Sequence, residues 1–181
     1  MKRLLLAAVM LVASPAVAYA QDTDGSSNAG FEPYVGVLAG GDVYDHQSEF
    51  GSNGRHGIMD GYLISAIAGV NVPLGGAFVG AEGNVAKGTN DIDWEYGVKG
   101  RVGVRTGTSG LIFGSVGYQW VDGHRSRGFP HRSDWMYGGG VEVGPADLGM
   151  GGSSSGLRLR LQAETYDFHS IRPMVGVVLH M

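Results

Sequence analysis

Two groups of residues in this 181-residue chain have the types and spacing for chemistry. The first is a set of charges at alternate positions: Glu82; Glu95, Lys99, Arg101 and Arg105; Glu142; Arg158, Arg160 and Glu164; and Arg172. On a strand such spacing places them on one face. Six cations and four anions sharing a buried face must pair, because an uncompensated buried charge is costly. Glu82 with Arg101 or Arg158 is expected at the centre of that network. The second group is histidine: His46, His56, His124, His131 and His169 all fall between strand-like segments. Imidazoles converging from several loops can hold zinc or copper, but no two have the spacing of a chelate, so no metal ligand is assigned. His124-Arg125-Ser126 and His131-Arg132-Ser133 each set an imidazole two residues from a hydroxyl, with Glu142 downstream. Nucleophile, base and orienting acid must lie within hydrogen-bond reach. Here the first pair is in a loop, the second at a loop edge, and Glu142 is on the charged face. No catalytic residue is therefore assigned, and the expectation is a non-enzyme. Signals for phosphate loops, zinc-binding helices and nucleotide binding are absent, so no cofactor is expected.

The elements that position these residues emerge once the N-terminus is set aside. Lys2-Arg3, the apolar run Leu4–Val12 and the small-x-small end Ala18-Tyr19-Ala20 have the form of a cleaved secretory signal peptide, residues 1–20. Residues 21–30 form a short N-terminal segment before the domain at 31–181. The apolar run is too short for a spanning helix, and none follows it. All 33 glycines lie beyond Ala20, where they make up about one residue in five against a usual ~7 %. Charged residues are 17 % of the chain, against a usual ~25 %. Without Lys2 and Arg3, 11 basic residues face 17 acidic ones, an acidic balance that excludes a nucleic-acid binder. The absence of Cys excludes disulfides and thiolate metal sites.

From Phe31 onward the hydrophobic period is two. Gly-rich turns divide the sequence into eight predicted strands at 33–42, 58–72, 77–87, 92–105, 111–121, 134–144, 157–167 and 171–181. No pair needs a helical crossover, so an antiparallel meander is expected. In the fourth strand Trp94, Tyr96, Val98, Val102 and Val104 share a face with Gly100, opposite Glu95, Lys99, Arg101 and Arg105. The seventh opposes Leu157, Leu159, Leu161 and Ala163 to Arg158, Arg160, Gln162 and Glu164. A soluble lipocalin-like binding barrel would turn the apolar face inward, and a membrane barrel turns it toward lipid. The second reading is favoured on four grounds. The charges are too few to cover an exterior in water, and Gly among them suits a narrow eight-stranded lumen. Aromatic residues (Tyr34, Tyr62, Trp94, Tyr96, Tyr118, Trp120, Trp135, Tyr137) sit near strand ends, as interfacial girdles do. Finally, the sequence ends within its last strand, with no helix to cover an open sheet. The expected fold is all-β, an eight-stranded antiparallel up-and-down transmembrane barrel.

Pro33-Tyr34-Val35-Gly36-Val37, Phe78-Val79-Gly80-Ala81-Glu82-Gly83-Asn84 and Gly114-Ser115-Val116-Gly117-Tyr118 resemble the first, third and fifth strands of a known family. It is that of small eight-stranded outer-membrane barrels of the OmpA N-terminal, OmpX and opacity-protein type. Gly176-Val177-Val178-Leu179-His180-Met181 resembles its C-terminal insertion signal, with Gly176, Leu179 and Met181 at the expected spacing. Met181 stands where the family has an aromatic residue, and Met174 where a polar one is usual. The resemblance implies an integral protein of the Gram-negative outer membrane, inserted by the barrel-assembly machinery and monomeric. It implies a structural or surface-interaction role in the envelope: integrity, adhesion or lipopolysaccharide contact. Arg125, Arg127 and Arg132 of the third long connection are the expected partners of lipopolysaccharide phosphates. A narrow or gated pore is one alternative. A lipid A-modifying enzyme is another, since outer-membrane deacylases use a His-x-Ser pair with a Glu; the Asn that follows their serine is missing here.

Overall fold

The computed structural model describes residues 30–44, 60–89, 92–123, 131–149, 156–168 and 170–181. The signal segment, His46, His56, His124, Arg125, Ser126, Arg127 and His169 lie outside the described residues. Eight strands follow in order: β1 (Glu32–Tyr44), β2 (Asp60–Leu74), β3 (Ala77–Gly88), β4 (Ile92–Thr106), β5 (Gly110–Gly123), β6 (Arg132–Val143), β7 (Leu157–Tyr166) and β8 (Ser170–His180). Every strand end falls within two residues of its expected place. Each strand pairs antiparallel with the next, and β8 returns to β1 from Tyr34↔His180 to Tyr44↔Ser170, closing the barrel. The Met181 amide donates to the Pro33 carbonyl at 2.9 Å and extends this seam by one rung. Closure leaves no exposed sheet edge.

Strand parity decides which residues face out. Val98, Val102, Val104, Ile112, Leu161 and Val177 are all exposed on the outer wall, with no charged side chain among their same-face neighbours in mid-strand. A wall of that composition is at home in hydrocarbon and a liability in water. Inward, the register sets even residues of β1, β3, β6, β7 and β8 beside odd residues of β2, β4 and β5. A register irregularity between Ile92 and Trp94 turns Ile92 into the barrel while Trp94 stays outside.

The two ends of the barrel differ. At the turn end, β2–β3 and β4–β5 are joined tightly through Gly75 (φ 70°) and Gly107 (φ 62°), conformations that favour glycine. There the Asp147 carboxylate, in the β6–β7 connection, accepts hydrogen bonds from the Thr108 and Ser109 amides (2.8 and 2.9 Å) and from the Ser109 hydroxyl (2.7 Å). One carboxylate thus ties two turns together. At the loop end, aromatic side chains concentrate on the outer wall of three adjacent strands. Tyr96 stacks on Trp120, Tyr118 meets Trp120 and Trp135 edge-on, and Tyr137 stacks on Phe168 from the β7–β8 connection. Tyr34 departs from the expectation: it is buried in the lumen and belongs to no girdle. Its even number gives it the parity of Glu32 and Asp42, and the lumen offers its hydroxyl a carboxylate.

Candidate functional site: the charged lumen

All ten charges that the alternation grouped together project into the barrel. Nine are buried, and Arg105, at the turn end, keeps part of its side chain exposed. The structure adds two more anions, Glu32 and Asp42, both fully buried at opposite ends of β1. Among the described residues these six cations stand with six buried anions, so this set is formally neutral where its expected composition carried an excess of positive charge.

The central layer is built on two carboxylates facing two guanidinium groups. Glu82 Oε2 accepts from Arg160 Nη1 (2.5 Å), Tyr34 Oη (2.7 Å) and Arg101 Nη1 (3.3 Å). Glu142 Oε1 accepts from Arg160 Nη2 (2.6 Å), Arg160 Nε (3.0 Å) and Arg101 Nη2 (2.8 Å). Glu82, Arg101, Glu142 and Arg160 are each at most 3 % exposed. The four come from β3, β4, β6 and β7, so the network crosses the lumen and ties strands that are not neighbours in the sheet. Aromatic rings close its flanks: the Arg101 guanidinium lies 3.9 Å from the Phe113 ring centre, and Arg160 lies 5.2 Å from that of Tyr34. His180 completes the layer, with Nε2 2.7 Å from Glu142 Oε2 and its ring stacked on Tyr34.

Lys99 links this layer to a second one nearer the loops. Its ammonium contacts Glu82 Oε1 at 3.0 Å and also pairs with Glu164. Above it, Arg172 Nη1 donates to Glu95 Oε2 (2.5 Å) and to Tyr166 Oη (2.8 Å), with Glu164 3.8 Å from its Nε. Gln119 Nε2 makes a long contact to the same Glu95 oxygen (3.5 Å). At the turn end Arg105 pairs with Glu32. Arg158, expected as a possible centre, is buried at the start of β7, toward that end; the centre belongs to Arg160 instead.

The lumen is less polar than its alternation implied. Leu38, Leu63, Ile67, Ile92, Val121 and Met136 extend one apolar cluster to the loop end, and Phe78, Leu111 and Phe113 form another toward the turns. Apart from Ile92, which the register irregularity in β4 turns inward, these residues have the inward parity of their strands; β1, β2 and β5 are apolar on both faces, so period two could not say which way their residues point. Inward glycines stand beside the bulky groups. A Cβ at Gly117 would lie 2.5 Å from Lys99 Cβ, and one at Gly138 2.7 Å from Glu164 Cγ. Outward Gly83, Gly100 and Gly114 have no such neighbour.

The remaining expected site residues lie elsewhere. Arg132 is exposed at the start of β6; Gly176 packs inward against Leu38, Leu179 faces out, and Met181 is half-buried. Glu142, the acid considered for a His-x-Ser site, is held inside by Arg101, Arg160 and His180, across the barrel wall from Ser133. Among the described residues, no group of three or more His, Asp or Glu side chains is arranged to hold a metal ion.

No protein-family model matches the sequence, and no curated protein does. Solved structures do match. The crystal structure of Neisserial surface protein A (NspA) is similar over 83 % of this chain and 97 % of its own, at 10 % identity and a TM-score of 0.53. The attachment invasion locus protein Ail of Yersinia pestis, in complex with the heparin analogue sucrose octasulfate, aligns over 82 % and 95 % at 13 % identity and a TM-score of 0.48. A de novo designed transmembrane β-barrel aligns over 84 % and 96 % at 9 % identity and a TM-score of 0.46. The chain has the closed, eight-stranded, up-and-down fold of the small outer-membrane β-barrels.

Proposed function

We propose that this chain is an integral, monomeric protein of the Gram-negative outer membrane, whose lumen is closed and whose primary role is structural and interactive at the cell surface. The observation that carries the closed lumen is the central layer of Glu82, Arg101, Glu142 and Arg160. Its side chains hydrogen-bond across the lumen between β3, β4, β6 and β7, and each is at most 3 % exposed. Apolar clusters lie on both sides of that layer. Opening a path would separate paired charges in a low-dielectric interior, which costs several kcal/mol per ion. The apolar outer wall supports the membrane setting, and the Gly176–Leu179–Met181 pattern at the β8–β1 seam supports insertion by the barrel-assembly machinery. Exposed Arg132, with Arg125 and Arg127 of the same connection, is the proposed contact for lipopolysaccharide phosphates. Planar-bilayer recording of the refolded protein tests the closed lumen. The expected result is no stable conductance above the lipid background, and a steady ohmic conductance abolishes the reading in favour of a pore.

A further inference from the structure

The seam between β1 and β8 is interrupted inside the membrane wall. Its pairing runs from Tyr34↔His180 to Gly40↔Met174 and resumes at Val43↔Ile171. The register is the same on both sides, so the break is a missing bond and not a bulge. The Met181 amide donates to the Pro33 carbonyl, so odd residues of β1 turn their N–H and C=O toward β8, and Gly41 faces Pro173. Proline has no amide proton, and no ladder donor reaches the Gly41 carbonyl. The other strand prolines, Pro33 and Pro73, each lie one residue from a strand end, whereas Pro173 is three residues inside β8. Sheets keep proline to edges and bulges, and a closed barrel has no edge. An unmet backbone group in hydrocarbon costs several kcal/mol, because no water is at hand to bond it.

The broken rung lies on the floor of a groove in the outer wall. Gly139, Ala163, Pro173 and Gly41 cross β6, β7, β8 and β1 there, joined by the rungs Gly139↔Ala163 and Ala163↔Pro173. Leu161 bounds the groove on the turn side, and Tyr62, on the rung of Gly41, closes its β2 end. Its volume is about 820 Å³, within the range of small-molecule sites. A Cβ at Gly41 would meet nothing nearer than the Gly61 carbonyl at 3.6 Å, so the floor is open beside the unmet carbonyl.

We propose that this groove binds a membrane lipid through an acyl chain that carries a hydroxyl near its carbonyl end, the hydroxyl donating to the Gly41 carbonyl. The outward lining is apolar apart from the Tyr62 hydroxyl, so the donor must arrive on a chain that is otherwise hydrocarbon. Depth fixes where on the chain it sits. Interfacial tyrosines settle where headgroups meet acyl chains; Gly41 shares the rung of Tyr62, and Gly139 is one outward position below Tyr137. A hydroxyl on the first carbons of an acyl chain lies at that level. The site rests on the membrane setting proposed above.

The test uses the full mature chain refolded into mixed micelles holding equal amounts of two phosphatidylcholines, one with 3-hydroxytetradecanoyl chains and one with tetradecanoyl chains. Retained lipid is counted by native mass spectrometry, and the shared headgroup cancels any contact made at the loops. Wild type is expected to retain the hydroxylated lipid with roughly 2- to 10-fold preference, the range of one hydrogen bond. Pro173→Val supplies the missing N–H and is expected to bring that ratio to about one. Ala163→Phe fills the groove and is expected to lower retention of both lipids. A mobility shift on heating in detergent gels confirms that each variant is folded. Folded wild type that retains the two lipids equally overturns the site, as does Pro173→Val with the wild-type preference or Ala163→Phe with wild-type retention. Those results leave the membrane setting standing, which insertion of the same preparation into lipid vesicles reports; a barrel that does not insert overturns both.

Discussion

Glu82 and Glu142 each accept hydrogen bonds from both Arg101 and Arg160, so truncating any one of the four strands its partners in a desolvated interior. Breaking a buried pair from one side costs about 3–5 kcal/mol. Arg160→Ala and Glu82→Ala are each expected to lose stability in that range, read as a lower urea midpoint for unfolding in micelles. A double variant is expected to lose less than the sum, because the two changes share one interaction. Asp147 gives a pH-dependent counterpart outside the membrane span. Hydrogen bonds from the Ser109 hydroxyl and the Thr108 and Ser109 amides hold its carboxyl below the ordinary 3.8. A carboxyl lowered in the folded state stabilises the fold above the unfolded value and loses that contribution as pH falls through the folded one. Wild type is therefore expected to unfold at higher urea than Asp147→Ala at neutral pH, and the two midpoints are expected to converge as pH drops below about 4. At this scale the sequence was legible where one face of a strand carries charge and the other does not, as in β4 and β7. It was not legible in β1, where Tyr34, Val35, Val37 and Leu38 put apolar groups on both faces. Glu32 and Asp42 at its ends, and Tyr34 between them, were missed for that reason. Their common even parity was the available signal, as was that of His180 with Arg172.

Strands and turns show a different division of labour among the glycines. Gly69, Gly97, Gly103, Gly117 and Gly138 face inward, each beside a large lumen group on a neighbouring strand: Tyr34, Gln119, Phe78, Lys99 and Glu164 in turn. Gly83, Gly100 and Gly114 face outward with open space. Composition showed only that a small barrel had room to make, and parity tells which glycines make it. Gly117→Ala is expected to displace Lys99 and its bridge between Glu82 and Glu164, destabilising the barrel by more than 1 kcal/mol, a typical overpacking cost of ~1–3. Gly100→Ala, on the lipid face, is expected to be neutral or to stabilise by up to about 1 kcal/mol. Matched urea titrations of the two variants check the contrast, and equal losses would mean that the two faces have been exchanged. Strand limits and pairing were readable because Gly-rich turns punctuate a regular alternation. The β5–β6 rim was not, because the acid that meets His131 lies nine residues before it and comes into place only through cross-strand register.

For the molecule as a whole, the low charge content and high glycine content describe one arrangement. About half of each strand faces hydrocarbon and can carry no charge, while among the described residues the lumen holds six cations, six buried anions and two apolar clusters between eight strands. In this arrangement the apolar wall, including its aromatic rim, contacts lipid. All three tryptophans, Trp94, Trp120 and Trp135, lie on that wall toward the loop end. Quenching of their fluorescence by brominated lipids, in vesicles holding the refolded protein, reads that contact. Bromines placed near the headgroup end of the acyl chains are expected to quench strongly, and bromines at the bilayer centre weakly. Fluorescence unaffected by any brominated lipid but quenched by aqueous iodide would contradict it.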